Sequence, residues 1–115
     1  QDGEDFRVMR QSLHAGRMAF ESAVDYVLAH AADQPVRVYA GAVAYLRLAG
    51  VVLCGWQLAR AMLAAYASHE DLAFGEAKMA TARFYAEALM PQALALEAAL
   101  LAAGGTVERV HADML

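Results

Sequence analysis

A Glu-x-x-His pair near the C-terminus, Glu108 and His111, has the residue types and spacing of a metal-binding site. A di-metal carboxylate site in a helical bundle needs two such pairs and a further Glu from each of two other helices. His14, His30 and His69 have no Glu three residues before them. The sequence therefore predicts no metal site in this chain.

Cys54 is the only cysteine, so the chain can form no internal disulfide and lacks the Cys-x-x-Cys-His motif of haem attachment. A catalytic thiol needs a neighbouring His and a charged, partly open setting. Leu53 and Gly55 flank Cys54, which favours a buried and unreactive thiol. Phosphate binding requires a Gly-rich loop at the start of a helix, whereas Gly104-Gly105 is expected to end one. We predict no catalytic and no cofactor-binding residue.

Charged side chains stand among apolar neighbours at Arg47 and Lys78. A long cationic side chain in such a place can lay its stem on the core and keep its charge in water, or pair with a carboxylate. We favour these structural roles over ligand binding. Glu76, Arg83 and Glu87 share one face of a predicted helix and can form a ladder of charges. We expect a solvated ladder; the alternative is a strip that docks on a neighbouring domain.

Large apolar side chains at helical spacing are most often core residues. Trp56, Phe84 and Tyr85 are therefore expected to anchor the core, where the ring N–H and the phenol would need hydrogen-bond partners. The methionines are scattered over the predicted helices and the tail, and we expect them to fill gaps in the core rather than to line a hydrophobic groove. They are Met9, Met18, Met62, Met79, Met90 and Met114.

These side chains must be positioned by helices, because β-branched residues are few and there are only two prolines. The chain has 115 residues, the length of one domain. Hydrophobic residues make up 60% of it, against roughly 45–50% in ordinary globular chains. A small bundle cannot bury them all, so we expect one apolar outer face that meets a partner.

Charge and hydropathy give expectations about partners and location. The net charge is −4 and no basic stripe is visible, so we expect no nucleic-acid binding. The uncharged run Leu48–Ala59 is shorter than the roughly 20 residues of a bilayer span, so we expect no membrane contact. The acidic start of the chain is unlike a signal peptide, which suggests a cytoplasmic protein. Because the chain does not begin with Met, we expect a fragment of a larger protein.

The first two helices follow from apolar periodicity. The first is predicted over about Glu4–Ala32, with Arg17 and Glu21 on its polar side as an i,i+4 ion pair. Asp33 is the expected N-cap of the second helix, which is predicted over about Pro35–Ala67 with its proline in the first turn.

The third helix is predicted to start at Ser68, as N-cap, and to run to about Ala103. Pro91 lies inside the pattern and should kink the helix, because it lacks a backbone donor. Gly104-Gly105 is expected to end the helix. Thr106 could then cap a short last turn through Met114.

Three glycines inside the second predicted helix, Gly41, Gly50 and Gly55, each cost up to about 1 kcal/mol relative to Ala. The return for this cost is either close approach of another helix or a local bend, and we expect packing. The uncharged stretch Leu48–Trp56 should be enclosed on most sides. The prediction is an all-α fold: an antiparallel bundle of three long helices plus a short C-terminal helix or tail, forming a single domain over residues 1–115.

Two segments of these helices resemble the accessory C-terminal domain of a subset of acyl-CoA dehydrogenases. The family branch includes the methylmercaptopropionyl-CoA dehydrogenases, and the resemblance extends from about Leu13 to Gly105. The matching residues are Tyr45, Leu46, Arg47, Gly55, Trp56, Ala59 and Arg60 in the first segment, and Lys78, Ala80, Arg83, Phe84, Tyr85 and Pro91 in the second.

The resemblance implies a parent flavoprotein of fatty acid metabolism that oxidises an acyl-CoA to its trans-2-enoyl form with a Glu base and FAD. No residue here matches the catalytic Glu or the FAD and CoA contacts, so FAD is expected in the parent and no cofactor in this chain. In such relatives the extra domain packs on the dehydrogenase body. It occupies the position that a second dimer occupies in the tetrameric enzymes. A dimeric parent is implied.

Three functions stay open at this point. The chain can be a non-catalytic accessory domain that packs on its own upstream body, in which case the isolated chain should self-associate through its apolar face. It can be a stand-alone helical interaction module, which predicts a start codon just before Gln1. It can, third, be a tail that contacts a membrane or nucleic acid, which the charge of −4 disfavours.

Overall fold

The computed structural model describes residues 2–68, 70–110 and 114, and the described residues contain helices but no strand. The all-α prediction is therefore confirmed. The described residues form five α-helices: α1 (Asp2–His30), α2 (Pro35–Ala40), α3 (Ala42–Ala67), α4 (Leu72–Ala88) and α5 (Gln92–Glu108).

The helices pack side by side as three arms: α1, α2 with α3, and α4 with α5. Together they form a rod that measures 65 × 25 × 19 Å. The α2–α3 arm runs antiparallel to α1, since the Phe6 and Tyr66 rings lie 5.4 Å apart and those of Phe20 and Tyr45 lie 6.0 Å apart. The α4–α5 arm then returns alongside α1, where the Ser12 hydroxyl donates to the Ala86 carbonyl at 2.9 Å. The predicted antiparallel bundle of three long arms is confirmed.

The second arm is broken at Gly41, where a continuous helix was predicted. A Cβ at Gly41 would overlap the Leu100 side chain, so the absent side chain lets α5 approach the junction. The expected N-cap, Asp33, is also wrong: Gln34 precedes α2 and makes no side-chain capping bond. Pro35 occupies the first turn as predicted.

The N-cap of α4 is Asp71 rather than the predicted Ser68. The Asp71 carboxylate accepts the Phe74 N–H at 3.0 Å, which satisfies one of the unpaired donors of the first turn. Ser68 instead closes α3, because its N–H donates to the Ala64 carbonyl at 3.1 Å. The third arm therefore starts a turn later than expected.

The predicted kink at Pro91 is confirmed, and it separates α4 from α5. The predicted helix end at Gly104-Gly105 is wrong, because α5 continues to Glu108 and includes Thr106. Gly104 serves packing instead: a Cβ there would lie 2.8 Å from the Arg37 Cβ of α2. Residues 111–113 of the predicted last turn, and His111 of the Glu-x-x-His pair, lie outside the described residues.

The core consists of two clusters of small and flexible apolar side chains. Met90 is also buried, with 2% of its surface exposed. A Cβ at Gly16 of α1 would lie 2.6 Å from the Met90 Cε, and one at Gly55 of α3 would overlap the Met90 sulfur. One cluster is Ala19, Ala23, Leu48, Val52, Ala93 and Leu100, and the other is Met9, Met62, Met79, Ala82 and Ala86.

Four of the six methionines are buried as predicted, while Met18 and Met114 are exposed. Buried Met9 and Met62 nevertheless line an apolar groove between α1 and α3, which the prediction did not expect. Close packing at glycine is confirmed at Gly41 and Gly55. It is wrong at Gly50, where a Cβ would meet nothing within 4 Å.

Candidate docking surface

Several residues expected in the core lie on the surface instead. Trp56 is 47% and Phe84 64% exposed, and the Cys54 thiol is also exposed. The reason is geometric: three arms of single helices have a narrow interior, and Ala, Gly and Met occupy it. Of the three predicted aromatic anchors, only Tyr85 is half-buried.

The stretch Leu48–Trp56 is likewise open on its outer side. Only three of its residues, Leu48, Val52 and Gly55, are buried. The exposed residues of α3 form an apolar surface that we call the α3 outer face, defined by Leu46 (73% exposed), Leu53 (52%), Trp56 (47%) and Leu63 (61%). Large exposed apolar side chains that recur along one helix often mark a surface that meets a partner.

A groove of 720 Å³ runs between α1 and α3 along one edge of this face. Buried Met9, Val52 and Met62 form its floor. The walls come from both helices: Phe6, Leu13 and Phe20 of α1, and Leu53, Trp56 and Leu63 of α3.

The charged side chains along this α1–α3 groove are basic. Arg10, His14 and Arg17 line it from α1, and no Asp or Glu is among its lining residues. Arg17 pairs with Glu21 at 3.0 Å, as predicted. From α3, the Arg60 guanidinium lies 5.1 Å from the centre of the Trp56 ring, a cation–π distance. The groove therefore has a basic border, at which Glu21 offsets the charge of Arg17.

The predicted ladder on α4 lies on a different side of the bundle. Arg83 pairs with Glu87 at 3.4 Å and donates to Asp5 of α1 at 2.9 Å. The hydrogen bond to Asp5, with the nearby Glu87 charge, raises the pKa of Arg83. The sequence did not identify Asp5 as a partner, because the two residues are 78 positions apart.

Lys78 and Arg47, the two cations that stand among apolar residues in the sequence, differ in exposure. Lys78 is half-buried, with its Nζ 5.5 Å from the centre of the Phe74 ring, in agreement with the predicted structural role. Arg47 is exposed and borders a second groove between α3 and α5.

In this second groove the Tyr85 hydroxyl donates to the Val51 carbonyl at 2.7 Å. Burial, with a smaller effect of the Cys54 thiol, raises the pKa of Tyr85.

The described residues contain no group of three or more His, Cys, Asp or Glu side chains arranged to hold a metal ion. Two described segments, Ala42–Ala67 and Leu72–Glu108, are long and apolar enough to cross a bilayer by length and composition. Core helices of soluble proteins share these properties, so the finding is weak evidence for a membrane span.

Comparisons with known proteins place these observations in context. The model of the family described as acetyl-CoA dehydrogenase C-terminal like matches residues 1–111. A 3-methylmercaptopropionyl-CoA dehydrogenase of Ruegeria pomeroyi is 41% identical over 83 residues, which cover 70% of this chain but 14% of that protein. The chain thus resembles a small part of its relative's length. No solved structure matches it significantly.

Proposed function

The chain belongs to the acetyl-CoA dehydrogenase C-terminal-like family, and from this premise we propose that it is the non-catalytic accessory domain of an FAD-dependent acyl-CoA dehydrogenase. Its role is to pack on the upstream dehydrogenase body and to set the oligomeric state of the enzyme. The parent enzyme oxidises an acyl-CoA to the trans-2-enoyl-CoA, in line with the dehydrogenase that it resembles.

The α3 outer face carries this proposal. Leu46, Leu53 and Leu63 are each more than half exposed on one helix. Each such leucine is worth roughly 1.5–3 kcal/mol when it is fully removed from water. Removing this apolar surface from water is favourable, and we propose that the body of the same enzyme buries it.

FAD is assigned to the body because the described residues do not fit it. A pyrophosphate is held by backbone N–H groups of a Gly-rich loop that opens a helix. Seven of the eight glycines here lie inside helices, and the eighth, Gly41, lies between two helices with the Leu100 side chain against it.

The proposal is tested with the full coding sequence, from which the body and this chain are also produced separately. Sedimentation of the mixture should show a complex of body and chain. The double variant Leu46→Asp/Leu53→Asp should abolish the complex. Leu94→Asp is the matched control, because Leu94 is 56% exposed but lies between α1 and α5, away from α3.

A body that keeps the same oligomeric state with and without this chain, and does not bind it, would contradict the proposal. That result, together with a start codon directly before Gln1, would support the stand-alone interaction module instead.

A further inference from the structure

We propose that the α1–α3 groove binds an amphipathic helix that carries acidic side chains along one edge. The inference rests on the proposed function in one respect, since we assign this helix to the dehydrogenase body. The proposal specifies where on this chain the body binds and which kind of side chain on the body makes the contact.

The shape of the groove fits a helix. Its α1 wall extends from Phe6 to Phe20, which corresponds to about 21 Å at 1.5 Å per residue, or roughly four turns. Two helices form the walls, and a buried apolar floor lies between them. An amphipathic helix bound in such a groove buries residues at positions i, i+3, i+4 and i+7.

The basic side chains along the groove favour a partner helix that carries acidic side chains. Arg10, His14 and Arg17 are exposed and spaced four and three residues apart, so they form one row on α1. Arg10 makes no ion pair with any described residue. Arg17 already pairs with Glu21, so Arg10 carries the uncompensated positive charge of the row. Carboxylates spaced i, i+4 and i+7 on a partner helix would face this row, because complementary charges fix partner and register.

The same charges disfavour a second copy of the chain in the groove. In a two-fold symmetric dimer the same patch meets itself, so the arginines of one groove would face those of the other. Like charges brought together across an interface are repulsive. The partner that fits is therefore an acidic helix rather than another basic groove.

Trp56 provides a direct measurement, because it is the only tryptophan and lines the groove. The 115-residue chain is titrated with a synthetic helical peptide of about 18 residues that carries Leu at i, i+3, i+4 and i+7 and Glu along one edge. A second peptide has Lys in place of each Glu. The expected result is a blue shift of Trp56 emission and at least about tenfold tighter binding of the Glu peptide. The preference should shrink at high salt.

Arg10→Glu should weaken binding of the Glu peptide by about threefold to tenfold and strengthen binding of the Lys peptide. Arg47→Glu makes the same charge change outside the groove and should leave both affinities unchanged. Circular dichroism of each variant shows whether the fold is retained.

Equal affinity for the two peptides, tighter binding of the Lys peptide, or unchanged Trp56 emission at all peptide concentrations would overturn the inference. None of these results would contradict docking of the body through Leu46, which does not line the groove. The single variant Leu46→Asp in the sedimentation experiment measures that docking separately.

Discussion

Arg83 of α4 donates a 2.9 Å hydrogen bond to Asp5 of α1, and it is the Asp5 side chain, at 7% exposed, that is the more buried of the two. Arg83 retains a second carboxylate, Glu87. The pair therefore links the first and third arms of the bundle, and its two members are not equivalent.

Removing the two partners should have unequal effects. Arg83→Ala leaves the Asp5 carboxylate buried without its cation, whereas Asp5→Ala leaves Arg83 paired with Glu87. Because an unpaired buried charge is more costly than a lost surface contact, we expect Arg83→Ala to lower the free energy of unfolding more. Urea unfolding of both single variants and the double variant measures this. The reverse order would contradict the argument from unequal burial, and additive losses in the double variant would show that the link contributes little.

The adjacent glycines of α5 should respond oppositely to alanine. Gly104→Ala places a Cβ 2.9 Å from the Arg37 Cα, which is backbone and cannot move aside. We expect a loss of about 1–2 kcal/mol, since overpacking outweighs the gain in helix propensity. Gly105→Ala meets nothing within 4 Å and should gain about 0.5–1 kcal/mol. Thermal unfolding that ranks the two variants equally would contradict the close α2–α5 contact.

Tyr85 and Tyr26 allow the contribution of a tyrosine hydroxyl to the free energy of unfolding to be compared with and without a hydrogen bond. Tyr85→Phe removes the 2.7 Å bond to the Val51 carbonyl and should cost about 0.5–1.5 kcal/mol. The Tyr26 hydroxyl is buried without a hydrogen-bond partner among the described residues. Tyr26→Phe should therefore be neutral or slightly stabilising, and an equal loss in both variants would refute the distinction.

The raised pKa of Tyr85 predicts a loss of stability in alkaline solution. Its ordinary value is 10.0, and the folded state raises it, so the unfolded chain loses this proton first. The contribution of Tyr85 to stability is fully present below pH 10.0 and declines as the pH rises through the folded-state pKa. The difference in unfolding free energy between the wild type and Tyr85→Phe should shrink above that pH. A constant difference would exclude the linkage.

The isolated chain is expected to self-associate through the α3 outer face at Leu46, which lies outside the basic α1–α3 groove. Leu46→Asp/Leu53→Asp should shift it toward monomer, while Leu94→Asp should not. Sedimentation over a range of protein concentrations measures this. A wild-type chain that stays monomeric at high concentration would show that its exposed leucines do not drive association.

The sequence by itself determined the helical class, the number of arms and the family. Apolar periodicity gave the α1 bounds to within about two residues, and Pro91 marked the break between α4 and α5, because proline has no backbone donor. Short-range effects of this kind are encoded locally. The Tyr45–Trp56 and Lys78–Pro91 segments identified the family, since their residue types could be compared without knowing where each one packs.

Only the tertiary structure decided which apolar residues are inside. With 60% of the residues hydrophobic, almost every helix face is apolar, and periodicity cannot distinguish the core from a docking surface. Gly16 and Gly55 lie inside because the Met90 side chain packs against them, and Gly104 lies inside because Arg37 packs against it, whereas Trp56 and Leu46 remain outside. The Arg83–Asp5 pair and the basic border of the α1–α3 groove likewise depend on residues brought together from different arms, which no local pattern records.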